Sequence, residues 1–173
     1  MHNRITLVGN LCKQSILKFK ITFLLLSFSF FISNTYSYAT TYFPYDYEIK
    51  CAGNGEYGFY LVTVSAFVNK KKDINHDITK KCAIHAVLYK GFTGDVGCHA
   101  QKSIIDSSLP EEHKKYITNL IENQFKLYTS SVDEMLKVLK VGKKYKVTAV
   151  IEVNAKLLRN ELEKKGIIRK LGF

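Results

Sequence analysis

The sequence predicts an α+β domain in which an antiparallel sheet of about four strands is covered by two or three helices. Residues 45–51 and 144–154 alternate apolar and polar side chains, which is typical of half-buried strands. Residues 57–68 are apolar on both faces, as in a strand at the centre of a sheet. The segments between them include runs with the 3.6-residue period of amphipathic helices.

In the first half of the domain, a turn at Gly53-Asn54-Gly55 joins two strands into an antiparallel hairpin. Asp73 is then expected to cap a helix that runs to about residue 90. The apolar face of this helix is predicted to hold Ile74, Ile78, Cys82, Ile84, His85, Leu88 and Tyr89, with Thr79, Lys80 and Ala83 on the opposite side.

The second half begins after a glycine-rich loop, residues 91–107. Ser108 to Glu111 forms a capping-box pattern, which predicts a helix to about residue 125 with Tyr116, Ile117, Leu120, Ile121 and Gln124 on one side. Residues 126–131 are ambiguous. Residues 133–141 fit either a helix or a strand, and we favour a strand that turns at Gly142 into 144–154. Asn154 caps a last helix, 155–165, which ends at Gly166. The predicted order is β-β-α-α-β-β-α.

The N-terminal segment has the pattern of an export signal. Residues 1–20 are basic and polar, and residues 21–32 form an uncharged apolar run of 12 residues. This run is too short to span a bilayer but suits a signal peptide, although a buried helix or an uncleaved anchor has the same composition. Small residues favour cleavage after Ala39. We therefore expect a signal peptide over 1–39 and one periplasmic or extracellular domain over 40–173, with no transmembrane span after cleavage.

The charge of the chain is strongly positive. The net charge is +11, and removal of residues 1–39 leaves 22 basic and 15 acidic residues. This balance fits contact with an anionic envelope surface, but a well-solvated, lysine-rich surface is the favoured explanation. Nucleic acid is not the expected partner, because the lysines are scattered and arginine is scarce after residue 20.

Three cysteines remain in the predicted mature chain: Cys51, Cys82 and Cys98. An oxidising compartment allows one disulfide and one free thiol, and the spacing leaves all three pairings open. A free, buried cysteine that packs as a small apolar side chain fits the sequence equally well. Cys82, His85, Cys98 and His99 are weak candidates for a zinc site or for a cysteine–histidine enzyme. A core histidine beside a structural cysteine explains the same residues, so we expect no catalytic, cofactor-binding or metal residues.

Gly53 to Gly58 match the pattern G-x-G-x-x-G, and Asp73 lies 20 residues beyond Gly53. A dinucleotide site requires the glycines to open a helix whose N-terminus meets the pyrophosphate. Here they precede a strand, so the sequence predicts a hairpin turn and no cofactor.

Several segments together resemble a group of uncharacterised secreted proteins from Bacteroides-type bacteria. They are GEYGFYLVTVSAFV, KKCAIHAVLYKGF, the GCHAQK loop and GKKYKVTAVIEVNAKLLRNELEKKGIIRKL, within residues 45–173. The strand–helix ending more weakly resembles the N-terminal region of the flagellar assembly T protein and a Helicobacter surface lipoprotein, although no cysteine for lipid attachment follows the apolar run. The resemblance implies export and a role in envelope assembly or adhesion.

These observations together predict an exported, non-enzymatic envelope or secreted protein that binds an unknown macromolecular partner. The alternatives are a small enzyme that depends on cysteine and histidine or on a metal, and a basic module that binds polyanions such as nucleic acid or lipopolysaccharide.

Overall fold

The computed structural model describes residues 43–94, 96–105 and 108–170. The predicted signal peptide and its cleavage site after Ala39 lie outside the described residues. The described strands and α-helices follow in the order β1 (Asp46–Gly53), β2 (Phe59–Val68), α1 (His76–Tyr89), α2 (Glu111–Asn119), β3 (Thr129–Ser131), β4 (Lys137–Val141), β5 (Lys144–Asn154) and α3 (Ala155–Lys164).

The sheet is antiparallel and five-stranded, with β2 and β5 at its centre. β2 pairs with β1 on one side and with β5 on the other, and both β3 and β4 pair along the far side of β5. The predicted α+β class and the hairpin of the first two strands are confirmed. β3 is the strand that the sequence pattern did not predict, because three residues are too few to show an alternation.

The apolar side chains of the two central strands face the helices. Val62, Val64, Ala66 and Val68 of β2, and Val147, Ala149, Ile151 and Val153 of β5, are at most 4% exposed. The alternate residues of both strands are mostly half-buried. Hydrophobic burial on one face of the sheet therefore forms the core.

Helix α1 differs from its predicted form in two respects. Its N-cap is Asn75, whose Oδ1 accepts a hydrogen bond from the Ile78 amide at 3.1 Å, whereas Asp73 ends a short 3₁₀ turn. Thr79 and Ala83, which the helical period places opposite the core, are fully buried. The amides of Ile104 and Ile105 donate to the Val87 and Leu88 carbonyls, and Lys81 pairs with Glu122. Other segments of the chain pack on α1 from more than one side, so the buried residues of α1 are not confined to one amphipathic stripe.

Helix α2 begins at Glu111 without the predicted capping box. Pro110 occupies the N-cap position with no side-chain cap, and Ser108 is exposed. The helical path continues through a π-helical turn, Leu120–Gln124, and a 3₁₀ turn, Phe125–Leu127. The predicted apolar side is confirmed at its centre, since Ile117, Leu120 and Ile121 are buried.

Helix α3 follows β5 directly. As predicted, the Asn154 side chain caps it by accepting from the Leu157 amide at 2.9 Å, and Gly166 follows with a left-handed φ of 68°. Leu158 and Leu162 are fully buried in the shared core. No helix in the described part of the chain is long and apolar enough to cross a membrane.

Candidate functional site

The four weak site candidates lie on two segments that the structure does not join into one cluster. Cys82 and His85 lie on α1, whereas Cys98 and His99 lie in the loop that follows it. Cys98 forms a disulfide with Cys51 of β1, with the two Cα atoms 6.2 Å apart, within the usual range for a bridge. Within residues 43–94, 96–105 and 108–170, no three His, Cys, Asp or Glu side chains meet in a way that could hold a metal ion.

Among the residues that the structure describes, Cys82 is the cysteine without a disulfide, and it is fully buried. Burial raises the pKa of the Cys82 thiol to about 12, because the thiolate would lose its hydration. The nucleophile and the metal ligand are both the thiolate form of cysteine. At neutral pH, Cys82 therefore has neither reactivity nor access, and it packs as a small apolar side chain.

His85 lies in an aromatic cluster between α1 and the start of β1. Its Nδ1 atom is 2.6 Å from the Tyr47 hydroxyl, and its ring stacks on Phe43 with 4.0 Å between ring centroids. Burial, and next the charge of Lys90, lower the pKa of His85 to about 4. Burial raises the pKa of Tyr47, so the phenol stays protonated and its O–H donates a hydrogen bond to Nδ1 of the neutral imidazole. The pair is a satisfied structural contact, with no acidic side chain in it to orient the imidazole.

We expect His85 to make the domain less stable in mild acid. Between pH 6.5 and 4 the unfolded chain binds a proton at this position and the folded chain does not, so stability falls as the pH is lowered. Because the ring is only half-buried, solvent screening limits the loss to about 1–2 kcal/mol.

Urea unfolding at pH 7 and pH 4.5 measures this effect. From pH 7 to pH 4.5, the free energy of unfolding of the wild type should fall by about 1–2 kcal/mol more than that of His85→Gln, which has no titrating ring at that position. Equal losses in the two proteins would show that the environment of His85 does not oppose its protonation.

A different part of the sheet has the exposure of a binding surface. All five residues of β4 are exposed, and the turn Gly142-Lys143 joins them to the start of β5. We call residues 137–146 the edge hairpin. Val138, Leu139 and Val141 are 45%, 63% and 47% exposed. Three exposed apolar side chains within four residues are more usual at interaction sites than on the rest of a protein surface.

The register of the edge hairpin shows which backbone groups are free. Val141 pairs with Lys144 across a two-residue turn, and Leu139 pairs with Lys146. In a two-residue hairpin the closing pair is hydrogen-bonded, and such pairs alternate along the ladder. The amides and carbonyls of Val138 and Lys140 therefore point away from β5, and no described strand pairs with them.

The charge of the edge hairpin is positive and partly uncompensated. Lys144 and Lys146 pair with Asp46 and Glu48 of β1. In contrast, the exposed side chains Lys137, Lys140 and Lys143 form no ion pair among the residues that the structure describes. The free edge thus combines hydrogen-bonding groups, apolar side chains and three available ammonium groups.

The glycine motif of residues 53–58 lies in the turn between β1 and β2, as the sequence predicts. Gly53 and Gly58 have φ angles of 142° and 91°, and strand β2 begins at Phe59. Because a strand, and not a helix, follows these glycines in the chain, the motif has the geometry of a hairpin connection.

Comparisons of the chain with protein-family models, curated proteins and solved structures find no match.

Proposed function

We propose that the chain is an exported, non-enzymatic envelope or secreted protein that binds another protein along the free edge of β4. The observation that carries this proposal is the exposure of all five residues of β4, together with the outward amides and carbonyls of Val138 and Lys140. An unpaired edge of this kind accepts an additional strand, and main-chain hydrogen bonds then supply much of the affinity.

A protein partner agrees better with the side chains than a bare polyanion does. Val138, Leu139 and Val141 present apolar surface on both faces of the strand. Apolar surface gains from contact with another apolar surface and gains nothing from phosphate groups. A polyanion would use the lysines of the edge hairpin and leave these three side chains exposed.

The charge of the edge favours an acidic and apolar segment. In an added antiparallel strand, acidic residues opposite Lys137 and Lys140 form cross-strand ion pairs, and apolar residues face the rest of β4. If a second copy of the chain paired at this edge, the three unpaired lysines of each copy would lie close together and repel each other. We therefore expect an extended segment of a different protein.

Export is supported by the cysteines. Cys51 and Cys98 form a disulfide, and disulfides form and persist mainly in oxidising compartments, which supports export. The buried, protonated Cys82 and the hydrogen-bonded His85 support binding over cysteine-dependent catalysis.

Site-specific photo-crosslinking in the producing cells tests the proposal. A photoreactive residue at Leu139 should give one discrete adduct, in which the cross-linked peptide of the other protein is acidic and apolar. The same residue at Glu112, which is exposed on α2, should give none.

Lys137→Glu with Lys140→Glu should reduce the Leu139 adduct about tenfold or more, because the new carboxylates repel the acidic residues of the partner. Lys115→Glu with Lys164→Glu makes the same charge change elsewhere and should leave the adduct unchanged.

Three results would contradict the proposal. The absence of an adduct at Leu139 would show that the edge has no partner in the cell. An adduct with lipopolysaccharide or nucleic acid alone would favour the polyanion alternative. An adduct between two copies of the chain would identify self-association.

A further inference from the structure

A second surface, separate from the edge hairpin, has the form of a small-molecule site. A cleft of about 420 Å³ lies between the turn before β2 and the first three turns of α3. This volume is within the range of small-ligand sites in proteins. Its wall on α3 is formed by Lys156, Arg159, Asn160 and Glu163, and aromatic rings of Tyr57 and Tyr60 line the opposite side.

We infer that this cleft binds a small organic monocarboxylate whose body is a ring. Tyr57 is 92% exposed at the cleft, and the Lys156 ammonium lies 5.5 Å from the centroid of its ring. The ammonium lies over one face of the ring, so the other face is a stacking surface for a flat ligand, and the nearby positive charge favours an anion.

Arg159 provides the carboxylate-binding group. Its Nε atom is 3.3 Å from Oε1 of Glu163, but it meets no acceptor in hydrogen-bond geometry among the described residues. This Nε atom is buried, so the guanidinium would bind a ligand through its two terminal Nη groups, and these match the geometry of a carboxylate.

The charge of the cleft selects a single negative charge. Lys156 and Arg159 are opposed by the carboxylate of Glu163, which leaves one net positive charge on the lining. A monocarboxylate balances this charge, whereas a phosphate dianion exceeds it.

The turn that carries Tyr57 is held against α3. The Lys156 amide donates to the Gly58 carbonyl at 3.0 Å. Gly58 has a φ of 91°, and a Cβ atom at this position would lie 2.9 Å from the Lys156 Cβ, so only glycine fits the approach. The backbone of the turn is thus held against α3 before any ligand binds, which reduces the entropic cost of binding.

Titration of the isotopically labelled mature protein, followed by NMR, tests the inference. The probes are benzoate and glucuronate, with benzamide and glucose as their neutral analogues. At least one carboxylate should bind with a Kd of about a millimolar and shift the amide signals of residues 57, 58 and 156–160. The Kd of its neutral analogue should be at least about tenfold higher, because the analogue cannot form the charge-assisted hydrogen bonds. The two carboxylates distinguish an aromatic from a sugar body.

Variants separate the site from a general effect of charge. Arg159→Gln and Tyr57→Ala should each weaken binding about tenfold, and Tyr57→Ala leaves the fold intact because its side chain is exposed. Lys115→Gln removes an exposed lysine from α2 and should leave binding unchanged. Equal binding of the neutral analogues, no shift with either carboxylate, or unchanged binding by Tyr57→Ala and Arg159→Gln would overturn the inference.

Discussion

Replacement of both Cys51 and Cys98 by alanine should lower the free energy of unfolding by about 3–4 kcal/mol. The bridge joins residues that are 47 positions apart, so it removes a large amount of conformational freedom from the unfolded chain. It also ties the glycine-rich loop after α1 to the end of β1. Urea unfolding of the oxidised wild type and the double variant measures the difference.

Reductant provides the control for this prediction. Reduced wild-type protein should unfold at nearly the same urea concentration as the double variant, because both lack the bridge. Cys82 stays buried in both proteins and should not react with an alkylating reagent until the domain unfolds. Equal stability of oxidised and reduced wild type would contradict the pairing of Cys51 with Cys98.

Leu158→Ala should destabilise the domain by about 3 kcal/mol. Leu158 is fully buried between α3 and the sheet, and the smaller side chain would leave a cavity in the core. Leu157 is the adjacent residue of the same helix and is 43% exposed, so Leu157→Ala should cost less than about 1 kcal/mol. Thermal and urea unfolding of the two variants measure the contrast. Similar losses would show that the face of α3 that packs on the core is wrongly placed.

The sequence predicted those parts of the fold that depend on local patterns. The alternation of residues 144–154 gave the bounds of β5, and the glycines before β2 predicted a hairpin. Asn154 was predicted as a cap because its side chain precedes a helical period directly. In each case, the residues that determine the structure lie next to one another in the chain.

The parts that could not be predicted depend on distant contacts. Thr79 and Ala83 are buried because other segments of the chain pack on the second side of α1. The helical period of the sequence does not indicate that these segments pack there. The pairing of Cys51 with Cys98 depends on where the loop after α1 folds, so the spacing left three choices.

The candidate surface was only partly visible in the sequence. Residues 133–141 indicated a strand, but their composition does not reveal that β4 lies at an edge with its outer side unpaired. Exposure of Leu139 follows from the position of β4 in the sheet. The cysteine and histidine candidates drew attention to a different region, because residue type alone does not show whether Cys98 is bridged or Cys82 is buried.

The binding of a strand at β4 can be measured most directly by hydrogen exchange at individual amides. In the free protein, the amides of Leu139 and Val141 should exchange slowly, because they bond to β5, and those of Val138 and Lys140 should exchange fast. Addition of an extended peptide containing Val-Glu-Ile-Val-Glu should slow exchange at Val138 and Lys140 selectively. A peptide with lysine in place of glutamate should have little effect, since its charges oppose Lys137 and Lys140. Unchanged exchange at Val138 and Lys140 with the acidic peptide would contradict the account.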